Sequence, residues 1–565
     1  MLSLIKLTIV KIPYAAFVLS TIFYSIQLYA DSHKVAIASA HPIATAAGFE
    51  VLTKGGNVFD AAVAVSAALA VVEPSGSGLG GGGYWLLHRE KDGLETLIDG
   101  RETAPIAAHK DMYLDKAGKV IEKLSLEGAL SAAIPGMPAG LVHLSEKYGK
   151  LPLTESLAPA IRYAQAGFAV GERYLRLLKF RQSVIKKYPQ TANIFLHDGA
   201  LPKPYSILRQ QDLAKTLTRI ANSGREGFYS GCIADKLIES VQNAGGIWVK
   251  KDLESYQIIE RKPVTALYKG IKITSAGPSS SGGIGLIETL NILSGYDLDK
   301  TDELTRKHLI IEAMRRAYHD RSLYLGDPNF INISIKRLLS EDYAAGLRST
   351  IRFDKAFPSS LLSGQLELQT EGINTTHFSI IDDEGNRVAA TLSINFPFGS
   401  GFVATGTGVV LNDEMDDFDS LPGAINGYGF VGGIANSIEP GKRMLSSMTP
   451  TFLENDTDVA VLGTPGGSRI ISMVLLAALD FAKGNGPDSW VKLPRFHHQF
   501  MPDLIEYESG ALSDNEITNL KAMGHQVKQT PYHYGDMQAV LFNKKTKALL
   551  AASDKRGEGR AIVGE

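Results

Sequence analysis

Residues 374–376 read Asn-Thr-Thr at the mouth of a β-rich run, "THFSIID". A threonine hydroxyl is a weak nucleophile until a base takes its proton. The nearest base for Thr375 is its own α-amino group, whose pKa is about 7.7–8.0 when free. That amine exists only if the chain is cut between Asn374 and Thr375. The same hydroxyl can make the cut by attacking the preceding carbonyl, shifting the acyl group to oxygen and leaving an ester for water. The competing reading is a strand-opening hydroxyl that satisfies a turn, and this stretch alone favours it.

Four other stretches carry residue types suited to acyl transfer. "LNDEMDDFDS" is an acidic cluster with Glu414, Asp416 and Asp417; it also reads as a solvated turn. A calcium loop needs alternating oxygen ligands with a glycine at the bend, which this stretch lacks. "KRMLSSMTPTF" sets the hydroxyls of Ser446 and Ser447 side by side, and "GTPGGSR" puts Gly466 and Gly467 ahead of a helix. Two consecutive N–H groups at a helix N-terminus can form an oxyanion hole. "LIDGRETAP" places Arg101 after a strand, where its planar fork can grip a carboxylate. His497 and His498 are adjacent; in a strand they point to opposite faces and make a poor metal pair, so they read as structural.

These residues need a scaffold. Small and apolar residues recur at helical spacing from Ile43 to Leu52, and Gly55-Gly56 end that element. Asn57 then caps a second helix, "VFDAAVAVSAALAVVEP", whose alanines suit packing on a flat sheet. "GSGLGGGGYWLLHRE" runs from glycines into an apolar strand; without a following helix or "GK[ST]", it reads as a strand in close contact with another backbone. Ser125 to Tyr343 reads as a helical middle section, and Lys355 to Asn374 as a linker. "THFSIIDDEGNRVAATLSIN" reads as a hairpin about Asp383–Asn386, and a helix is expected from about Ser468 to Ala482. Strands and helices thus mix on both sides of the linker, which predicts a layered α/β fold with one shared sheet system.

Composition narrows the function. The net charge of −2 gives no basic field for nucleic acid. The single cysteine, Cys232, excludes an intrachain disulfide and a multi-cysteine zinc site, and it reads as a small buried hydrophobe. The first 30 residues combine Lys6 and Lys11, an apolar run and Ala30, the pattern of a cleaved secretory signal. The expected location is periplasmic or secreted; the alternative is an uncleaved membrane anchor.

Taken in order, "GLGGGGY", "GREGFYSG", "NTTHFSIID", "LNDEMDDF", "KRMLSSMTP", "GTPGGSRII" and "PRFHHQ" resemble the γ-glutamyltransferases, also called γ-glutamyltranspeptidases or glutathione hydrolases. The resemblance runs over nearly all of the chain beyond the signal. It implies a four-layer αββα sandwich of the N-terminal nucleophile hydrolase type. It also implies a precursor that cuts itself into a large subunit, 31–374, and a small subunit, 375–565, which remain together as a heterodimer. Thr375 is then the nucleophile and new N-terminus, with Asn374 ending the large subunit. Ser393, where threonine is common, supports the nucleophile. Asn395, Glu414 and Asp417 hold the substrate α-amino group, and Arg101, Ser446 and Ser447 hold its α-carboxylate. Gly466 and Gly467 form the oxyanion hole, and Tyr428 lies in a lid, "PGAINGYGFVGG". The implied substrates are glutathione and other γ-glutamyl compounds, with water, amino acids or dipeptides as acceptors. No metal or organic cofactor is implied. The alternative is a cephalosporin or glutaryl acylase of the same fold.

Overall fold

The structure is a computed structural model, and it describes residues 33–362, 375–419 and 433–565. Asn374, Tyr428 and the signal segment lie outside them. No helix among the described residues is long and apolar enough to cross a membrane.

Two antiparallel sheets face each other. The strands used below are β1 (Val35–Ser39), β2 (Gly82–Arg89), β3 (Leu94–Gly100), β4 (Ile259–Arg261), β5 (Val264–Tyr268), β6 (Ile271–Ser275), β7 (Thr376–Asp382), β8 (Arg387–Ser393), β9 (Thr451–Glu454), β10 (Asp458–Gly463), β11 (Gln538–Asn543), β12 (Leu549–Ser553) and β13 (Arg560–Gly564). The first sheet has the order β13-β1-β7-β8-β2-β3-β4, and the second β12-β11-β10-β9-β6-β5. Helices α1 (Pro42–Thr53), α2 (Val58–Val72) and α3 (Glu172–Ile185) precede β4; α4 (Gly282–Leu293), α5 (Glu303–Tyr324) and α6 (Arg469–Phe481) follow β6. Apolar residues of α1 and α2 share one core with the outer face of the first sheet, while α4, α5 and α6 share another with the second sheet. The layers run αββα, as the resemblance implies.

The alternation of side chains along each strand builds both cores. In β7, Phe378 and Ile380 pack toward the α1–α2 layer and Ile381 toward the second sheet. In β2, Trp85 and Leu87 face the helices and Tyr84 and Leu86 the other sheet. Every residue of α2 is buried. Its start is fixed by a reciprocal box: Asn57 Oδ1 accepts from Phe59 N and Asp60 N, and Asp60 Oδ2 accepts from Asn57 N. Loss of such a cap costs about 1 kcal/mol.

The glycine run before β2 does what its position suggests. A Cβ on Gly80 would collide with Val410 O, and one on Gly81 with Ser393 O. The β7–β8 hairpin turns where expected, because Asp382 Oδ1 accepts from the N–H groups of Glu384, Gly385 and Asn386.

Two expectations need correction. The middle section is not wholly helical: β4, β5 and β6 lie within it, and β5–β6 is a two-residue hairpin. Its turn residues Lys269 and Gly270 have φ of 50° and 79°, the positive values such a hairpin favours. Cys232 is exposed, on the helix Gly231–Asn243.

Candidate active site

Thr375 stands directly before central strand β7 and is 4% exposed. Its parity matches His377 and Ser379, so it opens between the sheets. Thr376 takes the other face, where its buried hydroxyl lies beside the Glu73 carboxyl at the end of α2. Behind Thr375, the His377 imidazole is fully buried and its pKa is lowered to about 3 by that burial. It bonds Thr391 Oγ1 at 2.8 Å and Ser379 Oγ at 3.1 Å, both on strands of the first sheet, as a neutral ring.

Beside Thr375 is a cavity of about 20 Å³, room for about one water. Arg101, Ser393, Asn395, Glu414, Asp417, Ser446, Ser447 and Gly467 line it, together with the apolar Met448 and Ile470. Residues separated by hundreds of positions thus converge, as the sequence expectation required. Gly466 is one residue behind the wall.

Arg101 follows β3 and is held by its backbone. Its N–H donates to Asp99 Oδ1 at 3.0 Å, and its carbonyl accepts from the Tyr256 hydroxyl at 2.8 Å. Asp99 is itself fixed by Arg261 Nε at 2.6 Å and Ser279 Oγ at 3.0 Å. The guanidinium donates to Glu414 Oε2 at 2.5 Å and to Asp417 Oδ2. The expected carboxylate-binding and amine-binding poles are therefore in direct contact. Burial opposes the Arg101 charge, but Glu414, Asp417 and Glu102 outweigh it and raise its pKa.

The acids are not equivalent. Asn412 positions them: its Oδ1 accepts from Glu414 N at 3.0 Å, while its Nδ2 donates to Gly80 O and Ala133 O, both at 2.7 Å. Burial pushes Glu414 up to about 7 against the pull of Arg101. Glu102, buried with no hydrogen-bond partner on either oxygen, is pushed well above the usual carboxyl range by burial and then by Glu414. Asp416 turns away from the cavity and accepts from Ser125 Oγ at 2.6 Å.

At the other end, the serine oxygens act as acceptors toward the protein. Ser446 Oγ accepts from Met448 N at 3.1 Å, and Ser447 Oγ from Arg321 Nη2 at 3.3 Å. Each hydroxyl hydrogen is thereby left to donate, which suits an anion. Ser393 Oγ accepts from Asn395 N at 2.8 Å and lies beside the Glu414 carboxyl. Asn395 holds φ of 73° and donates Nδ2 to Asp413 O at 3.0 Å.

Gly466 and Gly467 have φ of 143° and 57°, within the range that favours glycine. Their carbonyls accept from Arg469 N and Ile470 N as α6 begins. Neither glycine N–H donates to an acceptor among the described residues. Backbone N–H groups left without a protein acceptor at the start of a helix can serve an oxyanion.

His497 and His498 are structural, as expected: they bond Ser472 Oγ at 2.9 Å and Asp503 Oδ1 at 3.1 Å. Among the described residues, His308, Glu312 and His525 have metal-like proximity. Their groups are already engaged. His308 Nδ1 and His525 Nε2 are 2.8 Å apart in a hydrogen bond, and Arg315 donates to Glu312 Oε1 at 3.1 Å. A guanidinium in that cluster opposes a second cation.

The sequence reading missed Asp99, Glu102, Asn412 and Arg321. Asp99 and Glu102 had a signal, since they flank Arg101 at the end of an apolar strand. Asn412 and Arg321 had none locally.

A sequence-family model described as gamma-glutamyltranspeptidase matches residues 44–564. The chain belongs to the γ-glutamyltranspeptidase family. The glutathione hydrolase proenzyme of Pseudomonas sp. (strain A14) is 43% identical over 495 residues, covering 87% of this chain and 86% of that protein. The glutathione hydrolase proenzyme of Escherichia coli (strain K12) is 40% identical over 535 residues, covering 94% and 91%. Among solved structures, a cephalosporin acylase from Bacillus halodurans superposes with a TM-score of 0.81 at 27% identity, covering 94% of this chain and 96% of that one.

Proposed function

We propose that the chain is made as a precursor that cuts itself between Asn374 and Thr375, and that Thr375 then serves as nucleophile of a γ-glutamyltransferase and glutathione hydrolase. The observation that carries this reading is the convergence on Thr375 of an arginine, two acids, two serine hydroxyls and Gly467 around one small cavity.

The freed α-amine of Thr375 takes the proton from its hydroxyl as Oγ attacks the γ-carbonyl of the donor. The N–H groups of Gly466 and Gly467 hold the developing oxyanion. The C–N bond breaks, the proton passes to the leaving amine, and the γ-glutamyl group remains as an ester on Thr375. Water then yields glutamate, or an amino acid or dipeptide amine yields a new γ-glutamyl amide. Either acceptor loses one proton, and Thr375 Oγ regains one.

Charge explains the choice of acyl group. Arg101 faces both Glu414 and Asp417, so the cavity wall has an acid in excess; burial and then Glu414 hold Glu102 above the usual carboxyl range. A substrate ammonium supplies the missing cation, and its α-carboxylate can take the Arg101 fork and the serine hydroxyls. The cavity holds about one water, so the glutamyl group enters by parting the Arg101–acid pairs. A glutaryl group brings no cation and leaves an acid unpaired.

The 31–374 and 375–565 pieces would stay together because they share both sheets. In the first, β7 of the small piece pairs with β1 of the large one. In the second, β9 pairs with β6. Export by the segment 1–30 belongs to the same proposal. The functional test is a matched pair of anilides. Release from the γ-glutamyl anilide should exceed release from the glutaryl anilide by at least about a hundredfold, as expected for an unpaired buried charge. Equal rates would favour the acylase reading.

A further inference from the structure

Helix α3 turns two unlike faces to its surroundings. Inward, Tyr174, Leu178, Arg181, Val184 and Ile185 are buried. The Arg181 guanidinium is engaged there, donating to Pro397 O at 3.1 Å and to Gly399 O at 2.6 Å. Outward, Arg176, Lys179 and Phe180 are exposed at helical spacing, and the stripe continues to Lys186 just past the helix end. Phe180 is 61% exposed. Of the neighbouring cations, Lys187 is paired with Glu127 at 2.5 Å and Arg173 faces Glu73 at 3.9 Å. Arg176, Lys179 and Lys186 form no ion pair among the described residues.

A segment beside the helix carries the same chemistry. Gln182 Nε2 donates to Gly199 O at 3.3 Å, and Tyr205 N donates to Val170 O at 2.9 Å, so residues 199–205 run along α3 from its second half back to its start. Lys203 is exposed and forms no ion pair among the described residues. Tyr205 and Ile207 are 71% and 50% exposed. Tyr205 also holds φ of 62°, where a bulky residue is an outlier. It bears that strain while its ring stays mostly in water, and such strain tends to mark functional segments. The acids nearby are few. Asp198 lies 3.4 Å from the His197 ring, and Glu172 sits in the first turn of α3, where its charge suits the helix dipole.

We propose that this face docks on an anionic lipid surface. Phe180, Tyr205 and Ile207 enter the headgroup region, and Arg176, Lys179, Lys186 and Lys203 meet the lipid phosphates. Aromatic rings settle at that depth, and cations near it are attracted to the surface. The whole chain has a net charge of −2, so the attraction is local to this face. A soluble polyanion would use the cations but leave three large apolar side chains in water. A second copy, across a twofold contact, would set the same cations against each other.

The test reads insertion at the face itself, so attachment through any other segment does not decide it. In the Cys232→Ser protein, Phe180→Cys carries a polarity-sensitive nitrobenzoxadiazole dye. Leu267→Cys, on the edge strand β5 of the second sheet and 72% exposed, carries the same dye as a control. Vesicles of phosphatidylglycerol and phosphatidylethanolamine should brighten and blue-shift the dye at 180 and leave the dye at 267 unchanged. Vesicles of phosphatidylcholine should shift neither. Adding Lys179→Ala/Lys186→Ala/Lys203→Ala, all at exposed positions, should raise the lipid needed about a hundredfold, three charges each worth about fivefold. No shift at 180 with the anionic vesicles, an equal shift at 267, or an unchanged lipid requirement in the triple variant overturns the proposal. So does an equal shift at 180 with soluble polyphosphate, which would assign the face to a polyanion, or a shift that grows with protein concentration without lipid, which would assign it to a second copy.

Discussion

Thr375 and Thr376 are adjacent residues of one type, and they open onto opposite layers. Thr375 faces the gap between the sheets, beside a charged cavity lined by Gly467, whose N–H is unengaged among the described residues. Thr376 faces the α1–α2 layer, buried beside Glu73. A one-residue step along a strand reverses the side-chain direction, and here it separates a chemical environment from a packing environment. The lesson is that the reactivity of a hydroxyl is set by the layer it enters.

The widest separation between the two should come from valine, which keeps the shape and deletes the hydroxyl. Thr375→Val should lower γ-glutamyl-4-nitroanilide hydrolysis by at least about a thousandfold, as loss of a nucleophile does. Thr376→Val should keep at least about a tenth of the activity and shift the melting temperature by a few degrees at most. Equal losses would erase the distinction.

A smaller effect sharpens the electrostatic side of the comparison. Glu414 is raised to about 7, so its charged form prevails above that pH and its neutral form below. The charged form attracts the substrate ammonium. Inhibition by glutamate should therefore tighten as pH rises through about 7 and weaken as it falls. Glu414→Gln should remove this step and weaken glutamate binding about tenfold at pH 8, the worth of one charged contact. A pH step that persists in Glu414→Gln would assign it to another group.

Much of this site was legible because its parts are short and local. Arg101 after a strand, a serine pair, a glycine pair and an acidic cluster each announce a chemistry, and the family resemblance gave their order. What stayed hidden depends on distant packing. Asn412 matters because it bridges Gly80, Ala133 and Glu414, which no local pattern encodes. The contact of Arg101 with both acids spans more than three hundred residues. Glu102 was visible beside Arg101, but its burial was not. In the fold, β5 and β6 were masked by the helices around them, although the Lys269-Gly270 turn marks their hairpin. Cys232 was misplaced for the converse reason: residue type favours burial, but its position on the helix surface decides.

The central claim is that Thr375 becomes an N-terminus by its own chemistry. Intact-mass analysis of the purified protein and of Thr375→Ala tests it most directly. The account predicts two chains of about 37 and about 20 kDa for the unmutated protein, scaled by length from 60.9 kDa, the smaller beginning at Thr375. It predicts one uncut chain without γ-glutamyl release for Thr375→Ala. A cut at the same bond in Thr375→Ala, or γ-glutamyl release from an uncut unmutated chain, would contradict it.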